Sequence, residues 1–157
     1  MDQKALFLKF WTKEADTTRK VLSRVPENST YRPDPKSRTA REIAWLIVQE
    51  HISLIEGLEK GVFEWAETPA PATMKEMLDA FDRADLVKRL EAIEPAGLER
   101  QIPFMMQGKE VMKGTGYEFA WGFLFDLVHH RGQITTYLRP MGSTVPQIYG
   151  PSADEPV

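Results

Sequence analysis

Apolar residues recur along this chain mostly at three- and four-residue intervals, the spacing of one helix face. Ala5, Phe7, Leu8, Trp11, Ala15 and Leu22 form one stripe, with Lys9, Lys13, Asp16 and Lys20 opposite it. The pattern predicts a first helix over 3–24, ended by Pro26, and a polar link over 27–37 containing Pro33 and Pro35. Thr39 followed by Glu42 has capping-box spacing and opens a second helix, in which Ile43, Ile47, Leu54, Ile55 and Leu58 share one face and Gly61 is the stop. A second link, 66–72, holds Pro69 and Pro71. Thr73 and Glu76 repeat the capping spacing and open a third helix with Met77, Leu78, Phe81 and Ala84 inward. Leu86, Val87 and Leu90 drift off that face, so the later turns bend or change neighbour. Pro95 either breaks this helix or starts a short continuation through Leu98.

The stretch 101–116, with Gly108, Gly114 and Gly116, lacks a clear period and reads as a long loop. A fourth helix follows from about 117 to 139, with Phe119, Gly122, Phe123, Asp126, His130, Gln133 and Tyr137 on one broad side. Pro140 and Gly142 close it. These elements predict an all-α fold: a four-helix bundle about 30 Å long, from 1.5 Å of rise per residue. The 157 residues are expected to form one domain, 1–157, with 143–157 a partly ordered C-terminal tail pinned as far as Tyr149.

Composition narrows the chemistry. The absence of cysteine excludes disulfides, a thiolate nucleophile and cysteine-based zinc fingers. A net charge of -3 offers no basic field for nucleic acid. No apolar run approaches the ~20 residues of a membrane span, and Lys4, Lys9 and Lys13 interrupt the first segment where a secretory signal would be apolar. A cytoplasmic protein acting on a small molecule, without nucleic acid or membrane, is the expectation. There is no phosphate loop, dinucleotide fingerprint or nucleophile elbow.

The polar residues that interrupt apolar faces are few. His51 falls within the stripe of the second helix, between Ile47 and Ile55, with Glu50 at its edge. Asp126 and His130 are four apart and stack on one face of the fourth. Two readings follow. One is a set of satisfied core polar groups, with Asp126 bonded to His130 and His51 closing across the bundle. The other is a metal site made of His51, Asp126 and His130, with Glu50 as an alternative to His51. Imidazole with carboxylate suits zinc, nickel, iron or manganese. His129, offset by 100°, faces a neighbour or solvent. Arg131 pairs with an acid elsewhere, Gly132 permits close helix approach, and Gln133 stands where it could orient the His130 ring.

The block His130-Arg131-Gly132-Gln133, followed by Leu138-Arg139, Gly142 and Pro146, resembles the last-helix signature of the DinB/YfiT-like proteins. The run Thr39-Ala40-Arg41-Glu42-Ile43-Ala44-Trp45 is similar to the start of that family's second helix. The resemblance spans nearly the whole chain. It implies a four-helix bundle, often homodimeric, holding a divalent metal with one histidine from helix two and two from the last helix. His130 matches one of these. Asp126 stands where histidine is usual, a place some relatives give to a carboxylate, including the thiol-dependent maleylpyruvate isomerases. Leu46 stands at the helix-two position, leaving His51 or Glu50 as third ligand. The activity implied is a metal-dependent small-molecule reaction, such as a thiol-dependent transfer or isomerisation with a low-molecular-weight thiol. The alternative is a non-catalytic dimeric binding or structural protein with a degenerate metal site.

Overall fold

The computed structural model describes residues 2–157. Helices α1 (Gln3–Leu22) and α2 (Ala40–Lys60) are followed by strand β1 (Phe63–Trp65). Three short helices come next, α3 (Met74–Arg83), α4 (Leu86–Ala92) and α5 (Pro95–Glu99). Strands β2 (Gln101–Met106) and β3 (Lys109–Thr115) precede the long α6 (Gly116–Leu138). The four-helix bundle expected from the sequence is present: α1, α2 and α6 supply three long helices, and α3 with α4 fills the fourth position. No helix among the described residues is long and apolar enough to cross a membrane.

Local chemistry sets the helix ends. Asp2 caps α1 by accepting the Ala5 amide at 2.7 Å. Thr39 with Glu42 and Thr73 with Glu76 form complete capping boxes, and Thr115 with Glu118 forms a third that opens α6. Gly61 ends α2 at φ 79, a left-handed conformation that costs glycine little. The third predicted helix breaks at Asp85, whose φ of 43 separates α3 from α4. That break re-aims the drifting face, so Leu86 and Leu90 are buried. Arg89 then ties α4 to α2 through Glu59 at 2.6 and 2.8 Å.

The loop reading of 101–116 is corrected. These residues form a hairpin, and β1 adds to it, giving a three-stranded sheet in the order β1-β2-β3. β1 runs parallel to β2 with Phe63 opposite Phe104, while β3 is antiparallel with Met112 opposite Phe104. The hairpin turns through Gln107 and Gly108, both at positive φ, the twist that a two-residue connection requires. Pro103 cannot donate to a ladder. β1 pairs only with 104–106, so Pro103 lies where β2 has a single neighbour. Gly57 lets this sheet reach the bundle: a Cβ there would stand 2.1 Å from the Phe63 ring.

Gly132 is also corrected. It stands on the exposed face of α6 with nothing within 4 Å of where a Cβ would be, so no helix of this chain approaches it. Beyond α6, Asp154 accepts from Arg139 at 3.0 Å and from the Val145 amide at 2.8 Å, and Glu155 accepts from Arg24 at 2.6 Å and the Gln147 amide at 2.8 Å.

Candidate metal centre and the pocket above it

Consecutive residues of α6 enter two different polar constellations. Arg131, 2 % exposed, points into the seam with α1. Its Nη1 donates to Glu14 Oε2 at 2.6 Å, to the Glu14 carbonyl at 3.2 Å and to Thr18 Oγ1 at 3.3 Å. Its Nη2 donates to the Tyr149 hydroxyl at 2.6 Å, which in turn donates to Glu14 Oε2 at 2.8 Å. The expected acidic partner of Arg131 is therefore Glu14. This is a closed network of charge-assisted bonds.

His130, one residue earlier, points into the seam with α2. Its Nε2 lies 3.4 Å from Asp126 Oδ1 and 3.7 Å from Glu50 Oε1. One ligand-type atom from each of Glu50, Asp126 and His130 lies within 4.8 Å of the others. Bonds of about 2.1 Å to one ion, at angles of 90–109°, would put neighbouring donors about 3.0–3.4 Å apart. The two separations from His130 are at or slightly above that range. The Glu50 side chain is 8 % exposed, that of His130 16 %, and that of Asp126 50 %. Glu50 Oε2 is buried with no hydrogen-bond partner.

The ring's outer nitrogen fixes how the inner one is aimed. His130 Nδ1 lies 3.0 Å from Gln133 Oε1, and Gln133 Nε2 lies 3.2 Å from His129 Nε2. An amide oxygen only accepts, so Nδ1 carries a proton and Nε2 is the ring nitrogen turned to the two carboxyl groups. Gln133 thus holds the orienting role its position suggested. Three ligand-type atoms converge from two facing helices, an arrangement that either a shared proton or a cation resolves. Burial pushes the Glu50 carboxyl up to about 9, and the nearby Asp126 carboxylate adds to the shift against a smaller opposing effect of Arg38. The donor set and its orphaned oxygen fit a divalent metal.

His51 does not join this centre. It is 100° round α2 from Glu50, and its ring is turned to α1 and α3 rather than to α6. The His51 ring, 4 % exposed, stacks on Phe81 at 4.0 Å and Trp11 at 5.5 Å, and its Nδ1 has no partner. Burial lowers its pKa to about 3, so the ring is neutral near pH 7. The sequence expectation of His51 beside Asp126 and His130 is thereby corrected: Glu50, named as the alternative, occupies the seam, with Leu46 one turn before it. His129 is exposed, as its offset predicted.

A pocket of about 710 Å³ opens from this cluster. Leu46 and Glu50 of α2 and Phe119, Phe123, Asp126 and His130 of α6 form its inner part. The sheet supplies the outer wall with Trp65, Phe104, Met106 and Met112. Phe63 backs that wall, 5.8 Å from Phe104, 4.6 Å from Phe119 and 5.6 Å from Phe123. Reading the hairpin as a loop hid these residues. The Gln107-Gly108 pair was the one local signal that could have exposed it.

The fold and the site together define a class: helical bundles that converge carboxylate and imidazole donors from facing helices onto one pocket. Within that class, the DinB family model matches residues 1–156, and the chain belongs to that family. It is 30% identical over 155 residues to YrdA of Bacillus subtilis strain 168, covering 95% of this chain and 89% of YrdA. Among solved structures, a DinB-like protein from Bacillus cereus ATCC 10987 superposes with a TM-score of 0.75 at 25% identity, covering 91% of this chain and 95% of that one. The DinB-like protein YjoA of Bacillus subtilis shares the fold at a TM-score of 0.71 and 17% identity, over 97% of this chain and 99% of that one.

Proposed function

We infer that Glu50, Asp126 and His130 hold a divalent metal ion and that the chain acts on a small molecule bound in the adjoining pocket. The convergence of three ligand-type atoms within 4.8 Å of one another, on two facing helices, carries this reading. Gln133 supports it by keeping the proton on Nδ1 and leaving Nε2 free. A divalent ion there would supply Lewis acidity toward a water or a low-molecular-weight thiol. The protein's own part is to fix the donors on rigid helices, to exclude bulk water with the Phe119 and Phe123 walls, and to hold a proton on Glu50 when no ion is bound. A thiol-dependent transfer or isomerisation is the reaction class that fits.

The decisive experiment is a metal titration on tag-free protein with zinc, nickel, iron(II) and manganese, followed by elemental analysis. One ion per chain is expected, with loss on Glu50→Gln. Sub-stoichiometric metal after loading with every ion sinks the reading. In that case Leu46, an aliphatic residue one turn before Glu50 in the same pocket, favours a second reading, a binding protein without catalysis. The exposed stripe of α6, formed by Gly122, Phe125, His129 and Gly132, supports a homodimer through that face. Phe125 is 66 % exposed there. Sedimentation at micromolar concentration should return about twice the chain mass, and a monomer throughout would refute the dimer.

A further inference from the structure

The pocket does not end at Arg38. Arg38, Leu46 and Glu67 also line a second cavity of about 420 Å³, so the two spaces meet there. The link before α2 forms one wall of it and the link after β1 another. Trp45 ties the second link to α2 by donating to the Thr68 carbonyl at 2.9 Å. Three cations line this space. Arg38 gives one N–H from each terminal nitrogen to Glu67, at 2.8 and 3.2 Å, which leaves three of its five donors. Arg32 makes no hydrogen bond among the described residues. The one carboxylate at ion-pair distance from it there is Glu42, at 3.9 Å, whose Oε2 already accepts from the Thr39 amide and hydroxyl. Lys36, also on the wall, has an ammonium with neither a hydrogen bond nor an ion pair among the described residues.

Three positive charges against Glu42 and Glu67 leave this cavity net positive, in a chain whose net charge is -3. The link's own acid, Asp34, is turned back onto the chain, where its Oδ1 accepts the Lys36 amide at 2.8 Å and its carbonyl accepts the Ser37 amide at 2.9 Å. Pro33 and Pro35 fix two more backbone angles, so Arg32 and Lys36 stand on a stiff segment. Position matters as much as charge. Helices α2 and α6 run antiparallel, with Leu58 against Gly116 at one end and Glu50 against His130 further on. Leu46 therefore lies past the Glu50–His130 contact, about 6 Å along α2 from Glu50. Lys113 lines the main pocket at its other end, next to Gly114 and Glu118, about 12 Å along α6 before Asp126. It also lacks an ion pair among the described residues, but there one cation is matched by one acid, Glu118, in the same pocket wall.

We propose that this cavity is an anion shelf, and that the small molecule of the main pocket has two parts: an apolar body between α6 and the sheet, and a carboxylate or phosphate tail that leaves past Arg38 onto Arg32 and Lys36. The open donors of Arg32 and Arg38 and the Lys36 ammonium supply charge-assisted hydrogen bonds to the tail's oxygens. The inference rests on the reading above that a small molecule occupies the main pocket. It does not rest on the ion, because the shelf cations belong to the chain itself. A divalent ion in the centre attracts anions in its own right, so the shelf is tested with the ion removed.

The test uses the full chain, chelated, with three probes that share one apolar body: phenylhexanol, phenylhexanoate and phenylhexyl phosphate. Affinities come from ligand-observed NMR titration at low salt. At least one anionic probe should bind about tenfold or more tightly than the alcohol, and added salt should erode that advantage. The double variant Arg32→Gln with Lys36→Gln, at two exposed positions, should bring the anions to within about twofold of the alcohol and leave the alcohol's own affinity unchanged. Lys113→Gln should keep the anion advantage whole. An alcohol bound as tightly as both anions overturns the shelf. So does an advantage that survives the double variant, or one that Lys113→Gln removes, which would put the tail at the opposite end of the pocket. No binding of any probe overturns the shelf and the small-molecule reading together, while the metal titration stands or falls separately.

Discussion

His130 and Arg131 are neighbours in the chain, yet the two polar sites they enter are opposite in kind. Around Arg131, the carboxylate of Glu14 is met by a guanidinium and a phenol, and Thr18 takes part as well. Around His130, a ring nitrogen faces two carboxyl groups, and one Glu50 oxygen has no partner at all. Both sites are part of the bundle interior. Satisfied polarity stabilises a fold, while convergent and unsatisfied polarity beside a cavity marks a place that gains from a ligand. Burial alone does not make the distinction, since Glu50 is as deeply placed as Glu14.

The sharpest break of this contrast is at Arg131. Arg131→Ala leaves Glu14 buried and unpaired and is expected to lose about 3–5 kcal/mol in chemical denaturation. The double variant Arg131→Met with Glu14→Leu should recover most of that loss. A single variant within 1 kcal/mol (about fivefold in the folding equilibrium) of the parent would mean that the network is not a structural lock.

At the other site the balance reverses. His130→Ala and Glu50→Gln should each lower metal affinity by about 100-fold or more, on the order of 2.7 kcal/mol. Glu50→Gln should leave the metal-free protein as stable as the parent, since it removes a carboxyl that burial already disfavours in its charged form. His129→Ala should bind metal like the parent. Equal metal losses for the two histidine variants would contradict the geometry.

Acid sharpens the contrast at a third position. The folded chain holds His51 neutral down to about 3, while in the unfolded chain it protonates near the ordinary value of 6.5. The unfolded state therefore binds more protons between these limits. The His51 contribution is whole above pH 6.5 and is lost as pH falls toward 3, at up to about 1.4 kcal/mol per pH unit. Denaturation midpoints of the chelated protein between pH 6.5 and 5 should fall accordingly, and His51→Leu should flatten that slope. An unchanged slope in the variant would refute the assignment.

The smallest effect belongs to Gln133. Gln133→Leu frees the His130 tautomer and should weaken metal binding by about tenfold, with little change in fold stability. Calorimetric metal titration distinguishes this from the larger loss in His130→Ala.

Much of this was legible before any coordinates. Helix ends followed from Thr39, Thr73 and Gly61, because capping chemistry is local. Asp126 above His130 followed from a spacing of four on one helix. The rotation of α2 about its axis was not legible. Glu50 borders the apolar stripe and His51 lies within it, and only the tertiary packing decides that α6 meets the Glu50 edge while Trp11 and Phe81 enclose His51. The sheet was hidden for a different reason: Pro103 and the shift in register between Phe104 and Met105 spoil the two-residue alternation that announces a strand.

The adjacency of His130 and Arg131 has a mechanical side. A ring nitrogen about 6 Å from a helix axis travels about 1 Å when the helix turns by about 10°. Metal sites tolerate only about 0.2 Å in their bond lengths. The Arg131 clamp on Glu14 and Tyr149 grips α6 about 100° round from His130, at nearly the same height, and opposes such a turn. It acts as a bearing for the helix, so that the aim of His130 is steadied by a residue outside the Glu50–Asp126–His130 cluster.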